Sequence, residues 1–414
     1  MSTRARRRLG RAGLVGLTVA CLLLAAPGDD LVPATVGGSP GWLQGPFGSG
    51  LGISGAAYLV ALVVAFAAYL AVVAGAPALG RRTIRAATTG LLVLFALAPP
   101  LLSQDVFSYI AYARLAVDGL SPYSSVPLDA PGDVVVAYVG WRDTTSAYGP
   151  LFSLITFPLG AASVPVALWA LKAVAAAAVA GTAALVGRLA AVRGVDPVAA
   201  VAFVALNPLV LVHVVGGAHN DGLLALGLVF AIAAIAAGRA RTGGALIVGA
   251  AAIKASGAFA LPFAVLGARP GKRTGVAAGA VGAVGVVALV SLAAFGTDVL
   301  SSFALVGENQ ALTSRYSVPA QLSRIAGVDL GVMRGLATAL FAPVVAGLAW
   351  WTSQGADWVR AAGWAGFALL LATGWLLPWY VIWILPFAAL GRDRPLAALT
   401  LALCAFQLIN RIPL

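Results

Sequence analysis

Charged residues are scarce in this chain, and so are cysteine and histidine. Only 10% of the 414 residues are charged, 61% are hydrophobic, and the mean hydropathy is +0.97. Because soluble domains carry about 25% charged residues, this composition excludes a soluble protein and indicates a polytopic membrane protein. The two cysteines, Cys21 and Cys404, lie in apolar runs, so we expect neither a disulfide nor a zinc site. Two histidines are too few for a histidine-based metal cluster.

Long apolar runs predict an all-α chain of membrane spans. Runs near the length of about 20 residues that a spanning helix needs lie at 12–27, 52–75, 86–102, 164–187, 198–216, 222–238, 275–296, 332–351 and 396–411. Two further apolar stretches, 243–267 and 361–390, are harder to assign. We expect one integral-membrane domain over 1–414, because no polar interval reaches the roughly 50 residues that a soluble domain needs.

The positions of the arginines predict the orientation. An arginine cluster at 4–11 sets the N-terminus inside, and the loops that follow on that side collect most of the remaining basic residues. The net charge of +12 is therefore explained by flanking arginines, and no nucleic-acid partner is expected. Most acidic residues fall outside, chiefly in two predicted extracytoplasmic loops, 103–150 and 297–331. Acids hardly influence orientation, so this asymmetry indicates an external reaction chamber.

Three segments leave alternatives open. For 243–267 the flanking charges fit a broken pair of half-helices that meet near Lys254, since irregular backbone within the membrane is tolerated where it lines a cavity. For 361–390 we expect two short spans with an outer turn at 377–380, where Pro378 lies, and the alternative is one long tilted helix. Residues 1–27 resemble a secretory signal but lack a good cleavage site, so an uncleaved first span is favoured.

The loop 103–150 is the longest polar interval, and loops of this length are often functional. Its acidic residues are Asp105, Asp118, Asp129, Asp133 and Asp143. Asp105 lies two residues past an apolar run, where a carboxylate would lie at the membrane surface, and is the candidate catalytic base. We expect an interfacial helix over 105–118 with Asp105 in its first turn, where the helix dipole favours a negative charge. The alternative role for Asp105 is a helix cap.

Further polar clusters fall on the predicted outer side. The return of the first loop contains Trp141, Arg142, Asp143 and Tyr148. These residues either have a functional role or form a turn with interfacial aromatic anchors. The run 216–222 contains His219, Asn220 and Asp221, which offer donors, acceptors and a possible metal ligand, although Asn220 or Asp221 could instead cap the next helix.

Two of the cationic residues, Arg315 and Lys254, are candidates for binding a phosphate. Arg315, beside Tyr316 in the loop 297–331, could grip a phosphate with two hydrogen bonds or could snorkel at the interface. Lys254 lies in the middle of an apolar stretch, where a lysine costs about 2.5–3.5 kcal/mol and is a functional candidate. Lys172 is nearer the end of a span, where snorkelling explains it.

In order and spacing, these motifs resemble the polyprenol-phosphomannose-dependent α-1,6-mannosyltransferases of actinobacteria, members of the GT-C glycosyltransferase class. The segments that carry the resemblance are Ser103–Tyr109, Arg114, Gly119–Tyr123, Trp141–Asp143, Tyr148–Leu151, Asn207–Leu209, Gly217–Asp221, Lys254 and Pro378–Tyr380. They cover about 100–390. Two departures are that Lys254 precedes Ala-Ser, where the family has an apolar-proline pair, and that the chain is short for the family, which leaves the acceptor open.

The resemblance implies a GT-C-type bundle of about 11–13 transmembrane helices in the plasma membrane, with the active site in the extracytoplasmic loop. It implies inverting transfer of mannose from polyprenyl phosphomannose to an α-1,6-mannan or lipoglycan acceptor, with Asp105 matching the catalytic aspartate. The residues expected to bind the donor are His219, Asn220, Asp221, Lys254, Arg315 and Tyr316. The residues expected to serve the acceptor and the loop are Tyr109, Arg114, Tyr123, Trp141, Arg142, Asp143 and Tyr148.

Three expectations complete this interpretation. No cofactor is expected, and a divalent metal is optional because the leaving group is a phosphate monoester and no Asp-x-Asp pair lies near Asp105. One rival interpretation is the same fold acting on another polyprenyl-phosphate sugar, such as arabinofuranose. The other is a lipid or sugar transporter, which is disfavoured because the chain shows no inverted repeat.

Overall fold

The structure is a computed structural model that describes residues 2–28, 32, 41–47, 50–309 and 311–412. These residues form helices and connecting segments, with no strand among them. The α-helices are α1 (Thr3–Ala25), α2 (Gly41–Gln44), α3 (Gly55–Leu79), α4 (Arg81–Leu97), α5 (Asp105–Val117), α6 (Pro150–Thr156), α7 (Val164–Val192), α8 (Pro197–Ala205), α9 (Asp221–Ala236), α10 (Ala240–Ile253), α11 (Leu261–Leu266), α12 (Arg273–Phe295), α13 (Ser301–Asn309), α14 (Val318–Ala326), α15 (Leu330–Ser353), α16 (Trp358–Ala372), α17 (Leu385–Leu390) and α18 (Arg394–Gln407). Position 1 of the predicted first span and position 310 of the predicted second loop lie outside the described residues.

Long apolar helices confirm the predicted class, an all-α polytopic membrane protein. In the described part of the chain, five helices are long and apolar enough to cross a membrane: Thr3–Ala25, Gly55–Leu79, Val164–Val192, Arg273–Leu300 and Leu330–Ser353. The helix α8 and the helix Val210–Gly216 would form a sixth span bent by 59°, and shorter apolar helices of 10–17 residues accompany them. The count of about 11–13 spans stays a prediction, as does the assignment of 1–414 to one domain.

The chain divides into two compact units. The first comprises Met1–Thr144, Leu154–Leu223 and Arg411–Leu414, and the second comprises Thr145–Ser153 and Leu224–Asn410. In the first unit, α1 packs against α3, and α7 packs against α4 and α8. In the second unit, α10 packs against α12, and α16 packs against α15 and α17. The candidate residues fall in both units.

Both uncertain stretches are interrupted helices, as the sequence predicts. The helix α10 ends at Lys254, whose backbone is extended, and a 3-10 helix, Ala255–Ala260, precedes α11. The stretch 361–390 is broken between α16 and the 3-10 helix Pro378–Trp383, with Thr373 and Leu377 both extended. The alternative of one long tilted helix is therefore wrong, because the chain leaves helical conformation after Ala372. Leu377 is extended as well, as a residue directly before a proline favours.

The helix α5 covers most of the predicted segment 105–118. An interfacial helix would expose one face, but the side chains from Val106 to Ala113 are buried on every side. The helix is covered by α7 and by the 3-10 helices Pro127–Asp129, Val134–Tyr138 and Phe157–Ala161. The last of these is in close backbone contact, because a side chain at Gly160 would collide with the carbonyl of Ala113. The helix that begins with Asp105 is consequently a core element of the first unit.

Candidate functional site

Asp105 is the first residue of α5, and the chain enters that helix through a tight turn. Leu102 has a left-handed backbone with φ of 58°, a conformation that non-glycine residues rarely adopt and that is frequent at functional sites. The Ser103 hydroxyl accepts a hydrogen bond from the backbone N–H of Asp105 at 3.3 Å. Asp105 therefore follows the capping position, which Gln104 occupies without a side-chain cap bond. Its side chain is 18% exposed, so the carboxylate is accessible while the side chains from Val106 to Ala113 are buried.

His219 approaches Asp105 from a second turn. A π-helix, Val210–Gly216, ends at Gly217, and Ala218 has a left-handed backbone with φ of 57°. A side chain at position 217 would meet the His219 imidazole at 2.8 Å, so this position requires glycine. The His219 Nδ1 lies 3.5 Å from the Asp105 Oδ2, and the His219 side chain is fully buried. The sequence placed both residues in the site, and the structure brings them together.

Lys172 connects the two segments that carry Asp105 and His219. Its Nζ donates hydrogen bonds to the carbonyls of Gly216 at 2.7 Å and of Pro99 and Val215 at 3.4 Å. The Gly216 carbonyl also accepts from the backbone N–H of Leu101 at 3.2 Å. The snorkelling expected for Lys172 is wrong, because the residue is 0% exposed and its Nζ is bonded to three backbone carbonyls. The feature of the sequence that could have identified this role is the position of a lysine within an apolar run, where a lysine is costly and often functional.

Asn220 and Asp221 follow His219 at the start of α9. Asp221 is the first residue of that helix and is fully buried. Asn220 is 3% exposed, and neither atom of its amide has a hydrogen-bond partner among the described residues. A buried amide of this kind is normally satisfied, so Asn220 is a candidate for binding a substrate hydroxyl or phosphate beside His219. The prediction that this segment contributes to the site remains open to experiment.

The arginines of the first loop make bonds that hold the loop together. Arg114 makes an ion pair with Asp133 and donates to the carbonyls of Ala162 at 3.1 Å and Gly160 at 3.4 Å. Arg142 donates to two backbone carbonyls of its own loop at 3.0 Å. Arg114 therefore attaches the loop to α5, and Arg142 holds the shape of its own part of the loop. The acceptor roles of both residues stay predictions.

The aromatic residues of this loop divide into buried and exposed groups. Tyr109 and Tyr123 are each 1% exposed, whereas Trp141 is 38% exposed and Asp143 is also exposed. Tyr112 donates from its hydroxyl to the Thr144 carbonyl at 2.7 Å. Burial, followed by the negative charges of Asp105 and Asp143, raises the pKa of Tyr112 well above its ordinary value. Tyr112 therefore keeps its proton beside Asp105.

The second unit contains a cationic cluster at Lys254. The Lys254 Nζ lies 4.3 Å from the centre of the Tyr380 ring and 5.5 Å from that of Trp383, and the two rings stack 4.5 Å apart. Tyr148 precedes Gly149, whose N–H donates to the Ile253 carbonyl at 3.1 Å, directly before Lys254. The return of the loop 103–150 therefore packs on the end of α10. Lysine and aromatic rings in this arrangement make cation–π contacts.

Arg315 and Tyr316 lie in the same unit, where the predicted second loop attaches to the turn after α16. The backbone N–H of Ser314 donates to the Gly374 carbonyl at 2.9 Å, and the Tyr316 carbonyl accepts from Gln407 Nε2 at 2.8 Å. Arg315 is exposed, with its guanidinium 5.7 Å from the centre of the Tyr316 ring. An anchored backbone with an exposed guanidinium fits either phosphate binding or interfacial snorkelling.

Among the described residues, no group of three or more His, Cys, Asp or Glu side chains is arranged to hold a metal ion. Metal independence stays a prediction. The chemistry available in the first unit is that of an accessible carboxylate beside an imidazole, and the second unit offers an ammonium group over aromatic rings.

Comparison with known proteins gives the family. The family described as alpha-(1->6)-mannopyranosyltransferase, N-terminal domain, matches residues 7–269. An alpha-(1->6)-mannopyranosyltransferase A of Mycobacterium tuberculosis is 31% identical over 394 residues, which cover 84% of this chain and 73% of that protein. The protein of the same name from Corynebacterium glutamicum is 34% identical over 177 residues, 41% of this chain and 35% of that protein. No solved structure matches.

The match to the family includes the segments of Asp105, Lys172, His219 and Lys254, since all four lie within residues 7–269. The match with the corynebacterial relative spans little more than a third of that relative's length, whereas the mycobacterial match spans nearly three quarters. On the extent of the family match and of the mycobacterial alignment, the chain belongs to the α-(1→6)-mannopyranosyltransferase family.

Proposed function

We propose that this protein transfers mannose from polyprenyl phosphomannose to an α-1,6-mannan or lipoglycan acceptor at the outer face of the plasma membrane. The observation that carries the proposal is the accessible Asp105 carboxylate at the start of a buried helix, 3.5 Å from His219. The names of the relatives, α-(1→6)-mannopyranosyltransferases, support mannose as the sugar. The arginine distribution along the sequence supports an outer location for Asp105.

The proposed reaction is a single displacement with inversion at the anomeric carbon. The Asp105 carboxylate accepts the proton of the acceptor hydroxyl as that oxygen forms its bond to the anomeric carbon. The bond from the anomeric carbon to the phosphate oxygen breaks at the same time, and polyprenyl phosphate leaves with the bonding electrons. His219 orients the carboxylate, and Asn220 offers hydrogen bonds to substrate oxygens.

Positive charge is needed where the phosphate leaves, because the leaving oxygen gains negative charge in the transition state. Lys254 is the candidate in the second unit, and the Tyr380 and Trp383 rings limit the positions of its ammonium group. Arg315 is a further candidate for contact with the lipid-linked phosphate. Tyr109, Tyr123, Trp141, Asp143 and Tyr148 are proposed to shape or line the acceptor path.

The test uses sealed membrane vesicles that contain the protein, a labelled sugar donor and a short α-1,6-mannan acceptor that cannot cross the membrane. We expect label transfer from polyprenyl phosphomannose only when the outer face is accessible to the acceptor. Transfer from polyprenyl phosphoarabinofuranose instead would overturn the donor, and transfer only in inverted vesicles would overturn the orientation. Movement of labelled lipid across the membrane without sugar transfer would favour a transporter.

A further inference from the structure

A groove of about 980 Å³ runs between α4 and α7 in the first unit and reaches the start of α8. Its volume lies at the upper end of the range of roughly 300–1,000 Å³ typical of ligand sites. The α4 wall includes Leu92, Val93 and Ala96. The α7 wall is a row of small residues at helical spacing: Ala173, Ala176, Ala177, Ala180, Ala183, Ala184 and Gly187. The groove exists because alanine and glycine residues are too small to fill the space between the two helices.

The groove has the length of a lipid chain. At 1.5 Å per residue, the stretch of α7 from Ala173 to Arg188 is about 22 Å long. Half of a hydrocarbon core about 30 Å thick is about 15 Å. An acyl chain that belongs to one leaflet therefore fits along the alanine row.

One end of the groove is strongly basic. Arg81 and Arg85 lie one turn apart at the start of α4, and Arg188 lies near the end of α7. All three are exposed, and none makes a hydrogen bond or ion pair with the described part of the chain. Arginine fits phosphate through paired hydrogen bonds. By the arginine distribution this end faces the cytoplasm, where basic pockets between spans bind anionic lipid head groups.

Thr88 provides an independent observation. It lines the groove three residues after Arg85 and is 6% exposed, yet its Oγ1 has no hydrogen-bond partner among the described residues. Thr182, within α7, instead donates to the carbonyl four residues earlier at 2.8 Å, as helical threonines commonly do. A buried hydroxyl without a partner is costly, so the Thr88 hydroxyl requires an acceptor inside the groove.

We propose that this groove is a binding site for one anionic glycerophospholipid. The phosphate binds Arg81, Arg85 and Arg188, and an ester carbonyl below it accepts a hydrogen bond from Thr88. One acyl chain follows the alanine row of α7. The position of Thr88 favours a glycerophospholipid over a polyprenyl phosphate, because a polyprenyl chain carries no polar atom below its phosphate. This site is separate from sugar transfer and does not depend on the proposed function.

The test is lipid binding to the full-length protein, purified in detergent and delipidated, measured by native mass spectrometry with thermal unfolding in parallel. The probes are phosphatidylglycerol, phosphatidylcholine and polyprenyl phosphate. We expect phosphatidylglycerol to bind at least about tenfold more tightly than phosphatidylcholine, because both lipids carry the phosphate but the choline cation of phosphatidylcholine is repelled by the three arginines. The double variant Arg85→Gln/Arg188→Gln should lose this preference. The control Arg82→Gln should keep it, because Arg82 lies on α4 but outside the groove.

Two further variants test the Thr88 hydroxyl and the alanine row of the groove. Thr88→Val keeps the shape of the side chain and should weaken phosphatidylglycerol binding about threefold to tenfold through the lost hydrogen bond. Ala180→Leu should weaken both phospholipids by filling the groove. Equal loss in Arg82→Gln and in the double variant would overturn the site. Preferred binding of polyprenyl phosphate, unaffected by Thr88→Val, would overturn the choice of lipid.

Discussion

The Nδ1 of His219 lies 3.5 Å from the Oδ2 of Asp105, although 114 positions separate the two residues in the sequence. A protonated imidazole at this distance makes an ion pair with the carboxylate, and a neutral one limits its rotation. If His219 acts through Asp105, the two residues work as a functional pair. Substitution of His219 then has its effect only while the carboxylate is present.

We predict that His219→Gln lowers kcat by about tenfold or more, below the roughly 10²-fold expected for loss of the base itself. The double variant Asp105→Asn/His219→Gln should be no slower than Asp105→Asn alone, because groups that act as a unit are not additive. The measurement is kcat of all three variants at matched protein abundance. Multiplicative losses would show that His219 acts independently of Asp105.

Lys172→Met should damage both stability and turnover. The variant keeps the length of the side chain but leaves the carbonyl of Pro99 without its donor, at a cost of about 1–3 kcal/mol for this buried group. The carbonyls of Val215 and Gly216 still accept from the backbone N–H groups of Ala218 and Leu101. If Lys172 positions Asp105 and His219, kcat falls while KM for the donor stays within about twofold of wild type. The control is Thr182→Val in the same helix. A loss of stability with unchanged kcat would restrict Lys172 to a structural role.

Lys254→Met should lower kcat/KM for the donor by about 10-fold to 100-fold, the value of a charge-assisted hydrogen bond to phosphate. Tyr380→Phe should match wild type, because the ring remains, whereas Tyr380→Leu should lose about twofold to fivefold through the missing cation–π contact. The control is Lys272→Met, since Lys272 is exposed in the loop before α12. Wild-type kinetics for Lys254→Met would exclude a donor role.

Asp393 should make the stability of the second unit sensitive to acid. Burial raises the pKa of this carboxyl, but hydrogen bonds from the Leu396 N–H and from Trp364, together with the Arg360 guanidinium, outweigh it and hold the pKa below 3.8. A lowered pKa adds stability above pH 3.8, and this stability is lost as pH falls through the folded-state pKa. Asp393→Asn should therefore destabilise the protein near pH 7 and much less near pH 3.

Thermal unfolding of wild type and Asp393→Asn at both pH values measures this effect. The control is Asp196→Asn, because Asp196 caps α8 without an ion pair among the described residues. A difference between wild type and Asp393→Asn that stays constant with pH would contradict the linkage.

The sequence predicted the helical class, the break at Lys254 and the helix that begins with Asp105. These features follow from local rules, such as the length of apolar runs and the charges that flank them. Sequence reasoning missed the role of Lys172, because its partners are backbone carbonyls from two distant segments. It also missed the burial of α5, because several later segments cover this helix, among them the 3-10 helix Phe157–Ala161, whose Gly160 lies against the backbone of Ala113. Contacts made to backbone atoms depend little on which side chains are present, so they leave little trace in the amino-acid sequence.

The most direct test of the account is the rate of mannosyl transfer from polyprenyl phosphomannose by Asp105→Asn compared with Asp118→Asn. Asp118 caps the other end of the same helix and is exposed, so it controls for loss of a carboxylate on α5. The account predicts a loss of at least about 10²-fold for Asp105→Asn at normal abundance and wild-type activity for Asp118→Asn. Equal activity of Asp105→Asn and wild type would contradict it and direct the search for the base to Asp221 or Asp143.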